Sequence, residues 1–367
     1  IEAQPSVQKT AVNELALEVS GQIDEDVFSA SVTAPLIQID QNAINIKQLA
    51  ANLTGVFAGA EVTEGMIDLP RLTMNLDSQV IDMNGLSVRV AATQSENTVL
   101  VTLDAPSLDI TPYTAGGAAI VAALQARGPD MRADAGIRLA GVEGSARLLK
   151  IGEIAIDIDA QQGENVIKGQ MATPLSADLE KQRFRLPKIS GNYDVRSPAL
   201  PMDSAEIPLE ASVDADLKGE AINVVLKTRF DESTIDGVFD LENFAEPFYR
   251  FDVAIDRLNL DRYTSGDTRA DEGAPAREPA PEDGAEGEAD SGIDLSPLKE
   301  LNLDGKLRIG ELVASNVKLS DVRVTVKAAD GKVEVNPLRA NLYGGTVRSF
   351  VSADANTNQF ALRQSLA

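Results

Sequence analysis

The chain has 367 residues, with 57 Asp and Glu against 33 Lys and Arg and a formal net charge of −24. That balance argues against a nucleic-acid backbone, which requires clustered cations that no stretch of the sequence supplies, so no nucleic acid is expected as a partner. The chain has no Cys and no His, which removes thiol and imidazole nucleophiles and bases together with the usual zinc and iron ligands.

Apolar residues make up 43% of the chain and aromatics only 4%, so the apolar mass is mostly Val, Ile, Leu and Ala. No apolar run reaches the ~18 residues of a membrane-spanning helix. The first residue is Ile1 without a preceding signal peptide, and "QFALRQSLA" stops where a new element would begin. The sequence is therefore expected to be a piece of a longer protein.

Period-2 alternation dominates from the start. Ile37 and Ile39, Ile44 and Ile46, then Val99, Val101 and Leu103 alternate with polar or small residues, as strands with one wet face do. The stretch "GAAIVAALQAR", 117–127, ahead of Gly128-Pro129, predicts a short helix. Ile154, Ile156 and Ile158 resume the alternation, and a weaker helical pattern covers 175–182. Phe251, Val253 and Ile255 form the next alternating strand.

Residues 265–292 hold nine acidic residues against Arg269 and Arg277, without a large hydrophobe. That composition predicts a disordered linker. Ser296-Pro297 suggests a helical turn over 296–300. Val322, Val324 and Val326 then alternate with charged residues. Gly55, Asn84-Gly85, Asp236-Gly237, Asp304-Gly305 and Asp330-Gly331 read as turns, and Gly344-Gly345 as a two-residue hairpin turn with Tyr343 packed beside it. The expected organisation is a repetitive β region over 1–263, an acidic linker over 264–292, and a further β region over 293–367.

The segments 99–113 and 251–265 share a layout of alternating strand, Leu-x-(Ile/Leu) and Tyr, an internal repeat of supersecondary units. The Asp-rich stretch 214–220 resembles a calcium loop until its fifth position, Lys218, and its twelfth, Val225, where acidic ligands are needed. No phosphate-cradling loop occurs, and no pair of carboxylates stands out as an acid/base dyad. Neither a cofactor nor catalysis is expected.

The block Leu303 to Gly345 resembles the C-terminal region of AsmA-family proteins of Gram-negative bacteria. Its Leu303 and Gly305, the run 316–321, Asp330-Gly331, and the hairpin with Leu342, Tyr343, Gly344 and Gly345 match that family's order of motifs. The preceding Leu258, Leu260, Asp261 and Tyr263 are similar to its Asp-x-Leu-x-Leu-Asp-x-Tyr segment. Residues 1–243 share the family's alternating texture.

The resemblance implies a periplasmic envelope-biogenesis protein, anchored to the inner membrane by a segment outside this sequence. It also implies phospholipid transport toward the outer membrane, with other envelope proteins as further partners. The fold class expected is all-β with few short helices: a long curled antiparallel sheet whose Val, Ile and Leu face forms an open hydrophobic groove. At ~4.8 Å per strand, roughly two dozen strands would extend on the order of 100 Å. The alternatives are a closed two-sheet β-sandwich and, in function, a scaffold or chaperone for outer-membrane protein assembly. The groove candidates are Ile154, Ile156, Ile158, Phe251, Val253, Ile255, Val322, Val324 and Val326.

Overall fold

A computed structural model describes residues 2–4, 9–23, 26–57, 59–111, 113–145, 147–202, 204–264, 299, 301–357 and 359–366. The fold is all-β, and the described helical structure is a single turn of α-helix plus a lone 3-10 residue at Lys299. The chain divides into two compact units, Ile1–Pro198 with Asp203–Val224, and Ala199–Met202 with Val225–Ala367.

In the first unit, β1 (Glu2–Gln4) borders β2 (Lys9–Ile23). Long hairpin-connected strands follow: β3 (Asp26–Asp40), β4 (Ala43–Phe57), β5 (Ala60–Asn75), β6 (Val80–Gln94) and β7 (Asn97–Ile110). The next strand is broken into β8 (Ala115–Gly117) and β9 (Ile120–Arg127), both lying between β7 and β10 (Met131–Gly144). The meander continues through β11 (Leu148–Gln162), β12 (Asn165–Asp178), β13 (Arg183–Arg196) and β14 (Ser204–Asp216). Every pairing among these strands is antiparallel.

The helix expected over 117–127 is a strand instead. Ladders with β7 on one side and β10 on the other engage its backbone. Ile120, Ala122, Leu124 and Ala126 then alternate onto the apolar face, and tertiary pairing overrides alanine's helical preference. The weaker helical pattern at 175–182 is the end of β12 and its turn. The turn expected over 296–300 and the linker over 264–292 lie outside the described residues, apart from Lys299 and Thr264.

A crease runs across the first unit. Glu14, Pro35, Gln48, Pro70, Gly85 and Pro106 fall at successive opposed positions from β2 to β7, each flanked by regular pairs. The prolines have no N–H to give to the ladder, and Glu14, Gln48 and Gly85 are left-handed at φ 54°, 52° and 79°. The apolar phase slips by one residue at this line: Val32 and Ala34 precede it in β3, Ile37 and Ile39 follow. Burial concentrates where the backbone bends, at Ala34 (0% exposed), Leu69 (6%) and Ala105 (2%), each the residue before a proline.

The second unit holds β16 (Ser233–Glu242), β17 (Phe248–Asn259), the helical turn α1 (Asp261–Thr264), β18 (Leu303–Ala314), β19 (Val317–Ala329), β20 (Lys332–Leu342), β21 (Gly345–Asp354) and β22 (Gln359–Leu366). β15 (Ala221–Phe230) starts in the first unit and ends in the second. β17 and β18 are parallel, while the pairings from β18 to β22 are antiparallel. Residues 225–264 thus share one unit with 301–366, and the acidic segment interrupts that unit.

Its centre is Ile309, Val322 and Ala340, with Ile255, Leu307 and Val324 packed on one side and Leu258, Leu312 and Leu319 on the other. Here too the apolar phase slips, at Asp256, Gly310 and Asp321, where Asp321 is left-handed at φ 52°. Both sets pack against the same cluster, so the slip in sequence and the kink in backbone cancel and one face stays apolar.

Several turn signals sit inside strands. Gly55 and Asn84-Gly85 lie within β4 and β6, and Asp236-Gly237 and Asp304-Gly305 within β16 and β18. Gly237 and Gly305 lie where the rings of Phe239 and Phe251 occupy the space a Cβ would need. Asp330-Gly331 is a true hairpin turn, left-handed at both residues. The hairpin between β20 and β21 turns at Tyr343-Gly344, with φ of 48° and 88°, the pattern of a type I′ turn. Gly345 is already paired with Leu342. Tyr343 does not pack: it is 86% exposed at the tip.

Candidate functional site: the open apolar face

Strand register lines up the apolar residues of the first unit into rows. One row runs Leu17, Val32, Ala51, Ile67, Val88, Leu103, Ala122, Ile137, Ile156, Met171, Gly191 and Leu209, directly opposed from each strand to the next. The adjacent row runs Val19, Ala30, Leu53, Gly65, Val90, Val101, Leu124, Ala135, Ile158, Gly169, Tyr193 and Ile207. Neither row contains a charged residue. The opposite phase carries residues such as Glu18, Asn52, Arg89, Asp157 and Gln170.

These rows are partly open to solvent, with Val32, Leu103 and Ile156 half-buried. Leu17 is 54% exposed, Ile67 42% and Ile137 43%, and no large side chain among the described residues is fully buried. A closed sandwich would bury such positions at its centre, so the sandwich alternative does not describe this unit. Apolar residues, some exposed and most half-buried, joined across every strand from β2 to β14 except β8 form a continuous patch of the kind that marks a binding surface.

Of the groove candidates, Ile154, Ile156 and Ile158 belong to the first unit. Ile156 and Ile158 stand in the two rows, and Ile154 opposes Leu139 and Thr173 beside the bend. The others belong to the second unit. Val253 lines up with Leu307, Val324 and Leu338, and Phe251 with Gly305, Val326, Val335 and Val351. Ile255, Val322 and Val324 take part in the core cluster there. The residues of β2 to β7 were missed, although a slip of alternation at each proline was readable in the sequence.

The wet face is held by cross-strand ion pairs. Asp159 receives Lys168 at 2.9 Å and Arg132 at 2.8 Å, and the hydrogen bonds from Lys168 and then Arg132 hold its carboxyl below the usual range. Asp216 is held low by the backbone N–H of Gly219 and by Arg183, in the turn that had resembled a calcium loop. Among the described residues, no cluster of Asp and Glu is arranged to hold a metal. No described helix is long and apolar enough to cross a membrane.

The motif residues after β17 act at hairpin tips. Asp261 accepts the backbone N–H groups of Ser315 and Asn316, both left-handed in the β18–β19 turn. Arg262 pairs with Asp231 at 2.7 Å, and the Tyr263 hydroxyl donates to the same carboxylate at 3.2 Å. The Tyr263 ring stacks on Phe230, and burial followed by the Asp231 charge raises its pKa. The helical turn thus staples two hairpins of one unit.

The AsmA family profile matches residues 9–366, nearly the whole described chain. The chain belongs to the AsmA family. Comparison with curated proteins finds no match. Membership extends the resemblance from the C-terminal block to the strands of the first unit, so the apolar rows are part of the AsmA fold in this chain. In AsmA terms, the Leu-Tyr-Gly-Gly hairpin and the Asp-x-Tyr segment are structural elements: one turns the chain, the other ties hairpin tips together.

Proposed function

We propose that this AsmA-family protein is a non-catalytic envelope-biogenesis protein that binds phospholipid acyl chains along its apolar face and conducts them between inner and outer membranes. It acts in the periplasm, held at the inner membrane by a further segment of the full protein. The observation that carries this reading is the pair of uncharged rows, partly open to solvent and unbroken in register from β2 to β14. An acyl chain of 16 carbons loses about 12 kcal/mol on full exposure to water, at ~0.8 kcal/mol per CH2. A continuous apolar surface offsets much of that loss at each step, while the head group stays in solvent. Lateral movement then needs no chemical reaction, because each strand presents the chain with an uncharged position in line with that of the strand before.

The test is native mass spectrometry with lipid extraction on protein purified from a Gram-negative host. Wild type is expected to retain phospholipid, and a folded Ile67→Asp/Ile137→Asp variant to lose it. A folded, lipid-free wild type would overturn the reading and leave the scaffold role.

A further inference from the structure

The face of the second unit opposite its apolar rows carries a line of like charge. Arg308 of β18, Arg323 of β19, Arg339 of β20 and Arg348 of β21 are directly opposed from strand to strand. All of them are exposed. At ~4.8 Å between strands the line is about 14 Å long.

This chain usually sets opposite signs across its strands: Lys9 faces Asp40, Arg183 faces Asp216, and Arg185 faces Asp214. Where Arg127 and Arg132 meet, Asp134 pairs with both. Lys47 opposite Arg71 is an isolated couple. Among the described pairings, a cationic row extends through four strands only in the second unit. Like charges directly opposite destabilise a sheet, and the chain has 57 carboxylates with which to avoid them. Stability therefore does not explain the row.

Part of the row is neutralised. Arg308 pairs with Asp252 at 2.9 Å and Arg323 with Asp321 at 3.0 Å. The side chains of Arg339 and Arg348 have no ion pair or hydrogen bond among the described residues. Beside them on the same face, Asn341 opposes Thr346, adding polar groups that can hydrogen-bond an anion.

We propose that Arg339 and Arg348 form a phosphate-group site, bordered by Arg323, for a lipid head-group phosphodiester or a free phosphate. Opposed guanidiniums on neighbouring strands can each give paired N–H donors to one tetrahedral anion. The anion replaces the missing carboxylate and cancels the repulsion between the two strands. The site belongs to the second unit and uses none of the apolar residues of the first unit's rows, so it stands or falls separately from the function proposed above.

The experiment compares wild type with Arg339→Gln/Arg348→Gln. The probes are inorganic phosphate against chloride at equal ionic strength, and phosphatidylcholine vesicles with and without phosphatidylglycerol. In chloride the variant is expected to melt higher than wild type, because the repulsion is gone. Phosphate is expected to raise the wild-type Tm and leave the variant's unchanged, with affinity falling at least about tenfold in the variant. Arginine-dependent flotation with phosphatidylglycerol vesicles would assign the site to lipid head groups. A phosphate-dependent Tm shift without flotation would assign it to free phosphate. Equal responses of wild type and variant to both probes would overturn the site.

Discussion

The carboxylate of Asp261 accepts the backbone N–H of Asn316 at 2.7 Å, across 55 residues of sequence. With Ser315 also bound, one side chain satisfies two N–H groups of a left-handed turn and ties the end of β17 to the β18–β19 hairpin. Asp261→Ala is expected to lower the stability of the second unit by about 2 kcal/mol, as charge-assisted bonds to a turn are lost. Asp261→Asn keeps one acceptor and should fall between. Urea unfolding monitored within this unit reads the effect, and an alanine variant as stable as wild type would remove the clamp.

The crease makes a separate prediction at Gly85. Its φ is 79°, and a Cβ there would stand 3.1 Å from Cγ of Pro70. Gly85→Ala is expected to cost about 1–2 kcal/mol, the usual penalty of left-handed backbone for an L-residue. A thermal melt of the variant that matches wild type would contradict the bend.

Tyr343 offers the converse. It is exposed and already left-handed, so Tyr343→Asn should change stability by less than about 0.5 kcal/mol, in either direction. A loss of several kcal/mol in the same melt would mean that the ring packs after all.

The apolar face and the core respond differently to charge. Val322 is 5% exposed, and Val322→Asp buries a carboxylate without a partner, which should unfold the second unit. Ile137→Asp places its charge on an exposed position and should leave the far-UV circular dichroism of the chain intact. If Ile137→Asp also unfolds, the face is covered in solution.

Acid should destabilise the chain in a defined direction. Asp159, Asp178 and Asp216 are held below their ordinary pKa by hydrogen bonds, first from Lys168, from the Lys181 backbone and from the Gly219 backbone respectively. Burial of Asp256 and Asp354 works the other way, but backbone N–H donors outweigh it and both are also lowered. A carboxyl depressed on folding binds fewer protons than its unfolded counterpart. Its stabilisation is complete above the unfolded pKa of about 3.9 and is lost as pH falls through the folded value. Urea midpoints should therefore hold down to about pH 5 and fall below about pH 4. A midpoint that rises on acidification in that range would contradict the assignment.

The sequence by itself determined the class of structure. Alternation such as Val322, Val324 and Val326 can only bury one face, and the absence of His and Cys left the chain without imidazole and thiol chemistry. The motifs from Leu258 to Gly345 were also enough to point to the family. Tertiary structure decided three further things. It made 117–127 a strand, because ladders on both sides supply hydrogen bonds that local propensity cannot anticipate. It placed Gly85 and Gly237 inside strands, since a glycine signal does not distinguish a turn from a bend or from room for a ring. Above all, it decided which strand lies opposite which. Alternation gives each strand an apolar side, but only register joins Ile67 to Val88 and Ile137 to Ile156 in one row, or aligns Arg339 with Arg348 on the other face. Register is fixed by pairing between distant segments, and no local stretch of sequence encodes it alone.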